Sequence, residues 1–172
     1  MSRIIVLLLL ASLGLSACAA PRSLTPQIGA DGKPLPKIYR ITPDDTREIQ
    51  FRMLDAVNSL RQAAGVSPVT LDNKLTAAAA THARDMSVQN RPWHFGSDGS
   101  SPLDRVKRVG YEGNFVGETI SETYETEMET LAAWMEDDIT RRVILSPEAR
   151  RMGFAWHQDP TNKIWWTMTL GG

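Results

Sequence analysis

Between Met152 and Leu170 the apolar residues change period, and that change limits the folds open to the chain. Met152, Phe154 and Trp156 alternate with Gly153, Ala155 and His157, and then Ile164, Trp166, Met168 and Leu170 alternate with Trp165, Thr167 and Thr169. Alternation of this kind belongs to strands with one face buried. Asp159-Pro160-Thr161-Asn162-Lys163 supplies a turn between the two runs, so they read as an antiparallel hairpin. The segments before them repeat at helical spacing, and helices followed by a terminal hairpin predict an α+β fold.

The helical segments carry their own punctuation. Thr42 suits an N-cap, Pro43 the first helical position and Asp45 the return contact; Ile49, Met53, Ala56, Val57, Leu60 and Ala64 then recur on one face before Gly65. A second helix is capped by Asp72, with Leu75, Ala78, Ala79, His82, Ala83 and Met86 on its buried stripe. Its alanines permit close approach of another element. His82, a lone histidine on an apolar face, reads as a core residue rather than a ligand, and His157 as exposed. Ser101, Pro102 and Asp104 open a short helix with Leu103, Val106 and Val109 facing inward. Eight carboxylates lie between Glu118 and Asp138 with no Lys or Arg among them, while Met128, Leu131, Ala132 and Met135 form a helical stripe. Most of those acids therefore read as a solvated face, with Arg141, Arg142, Arg150 and Arg151 as available counter-charges.

The N-terminus, MSRIIVLLLLASLGLSAC, is set apart from this domain. A positive start, an apolar run from Ile4 to Leu15 and small residues after it describe an export signal, and the run is short for a membrane-spanning helix of ~20 residues. Leu15-Ser16-Ala17-Cys18 resembles the bacterial lipobox, and Cys18 is the only cysteine in the chain. This predicts a signal peptide at 1–17 and a lipid on Cys18. A lipidated N-terminus and Pro/Gly-containing tether follow at 18–41, and the folded domain at 42–172. In a Gram-negative cell, Ala19 after the cysteine implies sorting to the outer membrane, facing the periplasm. A net charge of −1 and the absence of a basic stripe argue against a nucleic-acid partner.

PWHFGSDG, residues 92–99, leaves three readings open for His94: core packer, metal ligand or acid/base group. Chain order narrows them. LDAVNSLRQAAGVSPVTLDNKLTAAAATHARDM, WHFGSDGSSPLDRVKRVGY, VGETI, WMEDDITRRVIL and the closing tryptophan-rich hairpin follow one another in the order of a CAP domain. The chain thus resembles the cysteine-rich secretory protein, antigen 5 and pathogenesis-related (SCP-like) superfamily, in its cysteine-free bacterial form. The resemblance covers residues 48–170. It implies a three-layer α-β-α sandwich around a small antiparallel sheet, with His94 and Glu118 on the floor of a cleft. Imidazole nitrogen and carboxylate oxygen both ligate Zn²⁺, and the same pair also suits a base and its orienter.

Two departures matter. Alignment on Trp134, Arg141, Ile144 and Leu145 places Thr140 where the second cleft histidine stands, which removes a ligand. Asp137, three residues after Trp134, is positioned to restore one oxygen. His94, Glu118, Asp137 and Thr140 are thus the cleft candidates, with His94 and Glu118 weak ligands for Zn or Ca. The functional expectation is a lipid-anchored envelope module that binds a lipid, a peptidoglycan fragment or another envelope protein. The alternative is a hydrolase or a divalent-metal-dependent activity using His94 and Glu118. Ser97, Ser100 and Ser101, in their Gly/Asp/Pro setting, read as turn and cap residues, and the chain holds no G-x-S-x-G and no H-E-x-x-H.

Overall fold

The computed structural model describes residues 38–123 and 125–172. The expected export signal, Cys18 and the expected tether through residue 37 lie outside the described residues. Element order is a 3-10 turn (Pro43–Asp45), α1 (Thr46–Ala63), β1 (Thr70–Leu71), α2 (Asn73–Gln89), α3 (Pro102–Arg108), β2 (Phe115–Thr123), α4 (Glu127–Glu136), α5 (Asp138–Ile144), β3 (Arg151–Gln158) and β4 (Ile164–Gly171). The caps read from the sequence form. Asp45 accepts from the Thr42 backbone N–H and hydroxyl, Asp72 from the N–H groups of Lys74 and Leu75, and Asp104 from the Ser101 N–H and hydroxyl. Gly65 ends α1 at φ +72°, where a side chain would be strained. No described helix is long and apolar enough to cross a membrane.

The four strands form one sheet in the order β1-β3-β4-β2, with β1 parallel to β3 and the other pairings antiparallel. The hairpin register sets Met152 against Leu170, Phe154 against Met168 and Trp156 against Trp166. These residues face α1 and α4 in the main core with Ile49, Met53, Val57, Leu131 and Trp134. Phe154 and Trp166 stack at 5.5 Å between centroids. Arg61, fully buried at the end of α1, donates to the carbonyls of Ser67, Ile144, Ser146 and Ala149 and so ties α1 to the end of α5 and the turn after it.

The hairpin is not buried on one face only: every residue of β4 is buried. Its second face, with Trp165, Thr167 and Thr169, lies beneath α2, because helices cover both sides of the sheet. Small residues make that possible. Gly153 lies under the start of α2, where an added Cβ would stand 2.1 Å from the Leu75 carbonyl carbon. Packing corrects other expectations as well. Leu103 points outward at 41% exposure while Arg105 is buried; Ala132 is exposed and α4 instead buries Glu127, Thr130, Leu131 and Trp134. Glu127 leaves the solvated set because Arg52 reaches it across the helices at 2.7 Å. His157 is half-buried on the α2 side of β3, and burial lowers its pKa. Residues at the end of the Pro/Gly stretch are packed: Tyr39 and Ile41 lie against the core, and Gln158 hydrogen-bonds both.

The seating of α2 is open to test. Gly153→Val is expected to lower the unfolding free energy by roughly 3 kcal/mol, since backbone rather than a flexible side chain opposes the added atoms. Urea denaturation measures it, and a loss under about 1 kcal/mol would contradict this seating.

Candidate functional site

The site grows from one buried carboxylate. Glu118 sits on β2 opposite Thr169, on the face of the sheet that α2 covers. Its side chain is 3% exposed. A charge removed from water at that depth needs a partner with good geometry. Arg105 provides it: one guanidinium nitrogen, Nη2, lies 2.9 Å from each carboxylate oxygen. The other terminal nitrogen, Nη1, donates to the carbonyls of His94 and Ser100 at 3.0 and 3.1 Å. Arg105 therefore fastens the 94–100 loop to the sheet, and α3, opened by its Ser101–Asp104 box, holds Arg105 in register.

Two histidines face the same carboxylate. His94 Nδ1 is 3.0 Å from Glu118 Oε1. A carboxylate already paired with arginine is an acceptor, so Nδ1 carries the proton, which in the neutral ring leaves the lone pair on Nε2. The ring is half exposed, and Nε2 has no protein partner among the described residues. His82 Nε2 lies 3.7 Å from Glu118 Oε1 and 2.9 Å from the Trp93 carbonyl, to which it donates. That leaves His82 Nδ1 buried with no partner. Burial is the main force holding the His82 pKa below its ordinary value, against the opposing pull of Glu118.

The loop that carries His94 is tightly determined. Asp85 of α2 accepts from the Ser97 N–H, Asp98 from the Ser100 N–H, and Gly96 N–H reaches the Ser100 carbonyl. Ser97, Ser100 and Ser101 thus serve turn and cap. Trp93 and Phe95 flank His94 and meet edge to face at 5.7 Å; Trp93 donates its indole N–H to Gln89, and Arg91 lies 4.0 Å over its ring. Phe95 is 49% exposed.

Of the four cleft candidates, the structure brings together His94 and Glu118 and leaves the other two apart from them. The Asp137 carboxylate caps α5 by accepting from the N–H groups of Ile139 and Thr140, bonds that lower its pKa. The Thr140 hydroxyl donates to the Trp134 carbonyl. Neither hydrogen-bonds His94 or Glu118. His82 and Arg105 complete the cluster instead. Arg105 was legible in SPLDRVKRVGY only as part of the family motif; His82 was assigned to the core, where it does lie, but a buried stripe does not say which strand residue it faces.

A divalent ion does not fit this donor set. Both Glu118 oxygens are occupied by a guanidinium, a second cation beside it would be repelled, and both imidazoles turn proton-bearing nitrogens toward the carboxylate side. Among the described residues no group of three or more His, Cys, Asp or Glu side chains is arranged to hold a metal.

A sheet with helices on both faces is an α-β-α sandwich of the α+β class. The model of the cysteine-rich secretory protein (CAP) family matches residues 54–170, and the chain belongs to that family. It is 26% identical over 129 residues to the uncharacterised protein YkwD of Bacillus subtilis, a match that covers 75% of this chain and only 49% of that protein. An extracellular SCP-domain protein from Bacillus anthracis shares the fold at TM-score 0.68 and 18% identity, over 77% of this chain and 44% of its own. An outer surface protein from Borrelia burgdorferi does so at 0.64 and 15% identity, over 78% and 98%.

His82 makes stability depend on pH. Its folded pKa is lowered, so the unfolded chain takes up a proton near the ordinary value of 6.5 that the folded chain refuses. The contribution is complete above that pH and is lost as pH falls toward the folded value, at up to about 1.4 kcal/mol per pH unit per proton. His157 shifts the same way and adds to the slope. In urea denaturation at about pH 7.5 and about pH 5.5, His82→Gln is expected to reduce the difference. A difference equal to wild type would mean that His82 is not held neutral.

Proposed function

We propose that this chain is an exported, lipid-anchored CAP protein of the bacterial cell envelope that binds a ligand and does not catalyse a reaction. The commitment of both Glu118 oxygens to buried Arg105 carries this reading. It makes Glu118 a support for the 94–100 loop, and leaves His94 Nε2 as an accessible hydrogen-bond acceptor beside the Trp93–Phe95 pair. An acceptor flanked by aromatic rings suits a ligand with both a donor and an apolar or sugar face. A lipid, a peptidoglycan fragment or another envelope protein meets that description. The Leu15-Ser16-Ala17-Cys18 motif supports the anchor, with two or more acyl chains giving stable attachment and outer-membrane sorting in a Gram-negative cell.

A hydrolase remains the second reading, because a carboxylate on Nδ1 with a bare Nε2 is also the arrangement of a general base. Against it, neither Ser97, Ser100 nor Ser101 hydrogen-bonds His94; Ser101 caps α3 and the Ser97 and Ser100 backbones close the loop.

Cell fractionation tests the anchor: Cys18→Ser is expected to move the protein out of the membrane fraction and to abolish labelling by fatty acid. Persistent membrane association in that variant would refute lipid attachment. On the Cys18→Ser background, association with purified peptidoglycan, phospholipid vesicles and envelope extract is compared with and without His94→Ala. Binding to one of these is expected to fall at least tenfold with stability within about 0.5 kcal/mol, while Glu118→Ala costs about 3 kcal/mol by stranding Arg105. Loss of stability in His94→Ala with no binding affected would make the site scaffolding alone.

A further inference from the structure

The cluster around Glu118 has the composition of a metal site and a different occupant. Its carboxylate is 3% exposed, and two imidazole nitrogens stand 3.0 and 3.7 Å from Oε1. These are the residue types that ligate zinc, but the three are not arranged as a metal-holding group. The cation present is the guanidinium of Arg105, itself 5% exposed, 2.9 Å from both oxygens. We infer that Arg105 is a built-in cation that replaces a divalent metal at Glu118, so that this CAP domain completes its site without metal and Arg105 excludes it.

The hydrogen bonds support the exchange. His94 offers Glu118 an N–H rather than a lone pair, and the Nε2 of His82 donates to the Trp93 carbonyl. Both protonation patterns suit a carboxylate whose counter-charge is already in place, and neither suits a metal. His94 can reverse, since its second nitrogen lies on a half-exposed ring, whereas a proton on His82 Nδ1 would be buried without an acceptor. Removal of the guanidinium would leave an unpaired buried carboxylate facing the His94 nitrogen, which is able to become a ligand. Arg105 also holds the His94 and Ser100 carbonyls, a role that a metal ion bound at Glu118 does not supply. The occupant therefore sets the loop position as well as the charge.

The test is the melting temperature of the purified full chain with zinc chloride as the probe. Wild type is expected to show no zinc-dependent rise that His94→Ala removes. Arg105→Ala is expected to melt lower, and zinc or low-millimolar guanidinium to raise it by roughly 5 °C. The zinc response disappears when His94→Ala is added. Arg105→Lys, which keeps a cation of shorter reach, is expected to melt between the two and to ignore zinc. If Arg105→Ala does not fold unaided, the yield of folded protein on refolding with zinc or guanidinium is the same measurement. The inference is overturned if wild type gives a zinc-dependent rise lost in His94→Ala, or if Arg105→Ala responds to neither cation. Ligand association through His94 is read separately, so this inference and the binding reading can fail independently.

Discussion

A carboxylate buried between a sheet and a helix sets conditions on everything near it. Glu118 on β2 cannot stand unpaired at 3% exposure, and the ion pair with Arg105 answers it from α3. Through the same guanidinium the loop carrying His94 is fixed by two of its carbonyls. The presentation of His94 and its aromatic neighbours therefore descends from one electrostatic requirement. The loop follows the charge.

The frame that allows such burial is the sheet covered on both faces. Large apolar side chains of β3 and β4 fill the side toward α1 and α4, where Phe154 stacks on Trp166. Gly153, Ala155, Thr167 and Thr169 keep the other side shallow next to the larger Trp165, so α2 comes down on the strands and brings His82 within reach of Glu118. A thicker face would hold the helix away and admit water to the carboxylate. Asymmetry between the faces thus separates a bulky core from a thin polar cluster. Arg61 shows the same logic at the far end of α1, where a buried guanidinium is satisfied wholly by backbone carbonyls.

Family membership fixes the architecture but not the chemistry carried on it. A fold shared at 15–18% identity with proteins of Bacillus anthracis and Borrelia burgdorferi tolerates wide changes of side chain. In this chain Thr140 donates to a carbonyl and Asp137 caps a helix, so both serve local structure.

Local signals were legible in the sequence because they act between near neighbours. The Asp72 and Ser101 caps, the stop at Gly65, the stripe from Leu75 to Met86 and the alternation of the terminal hairpin all depend on periodicity or on contacts within a few residues. The α+β class followed from those signals, while the pairing of His94 with Glu118 was implied only by the family resemblance in motif order. Long-range pairings were not legible. Whether β4 is buried on one face or two depends on where α2 lands. Leu103, expected inward, turns outward while Arg105 is buried, because a carboxylate lies under that side of α3. Glu127 left its solvated run for Arg52, which is 75 residues away in the chain. A sequence determines which groups carry charge and which faces are apolar; only the tertiary structure decides which charges meet, since the desolvation that forces a pairing exists only once the layers have closed around it.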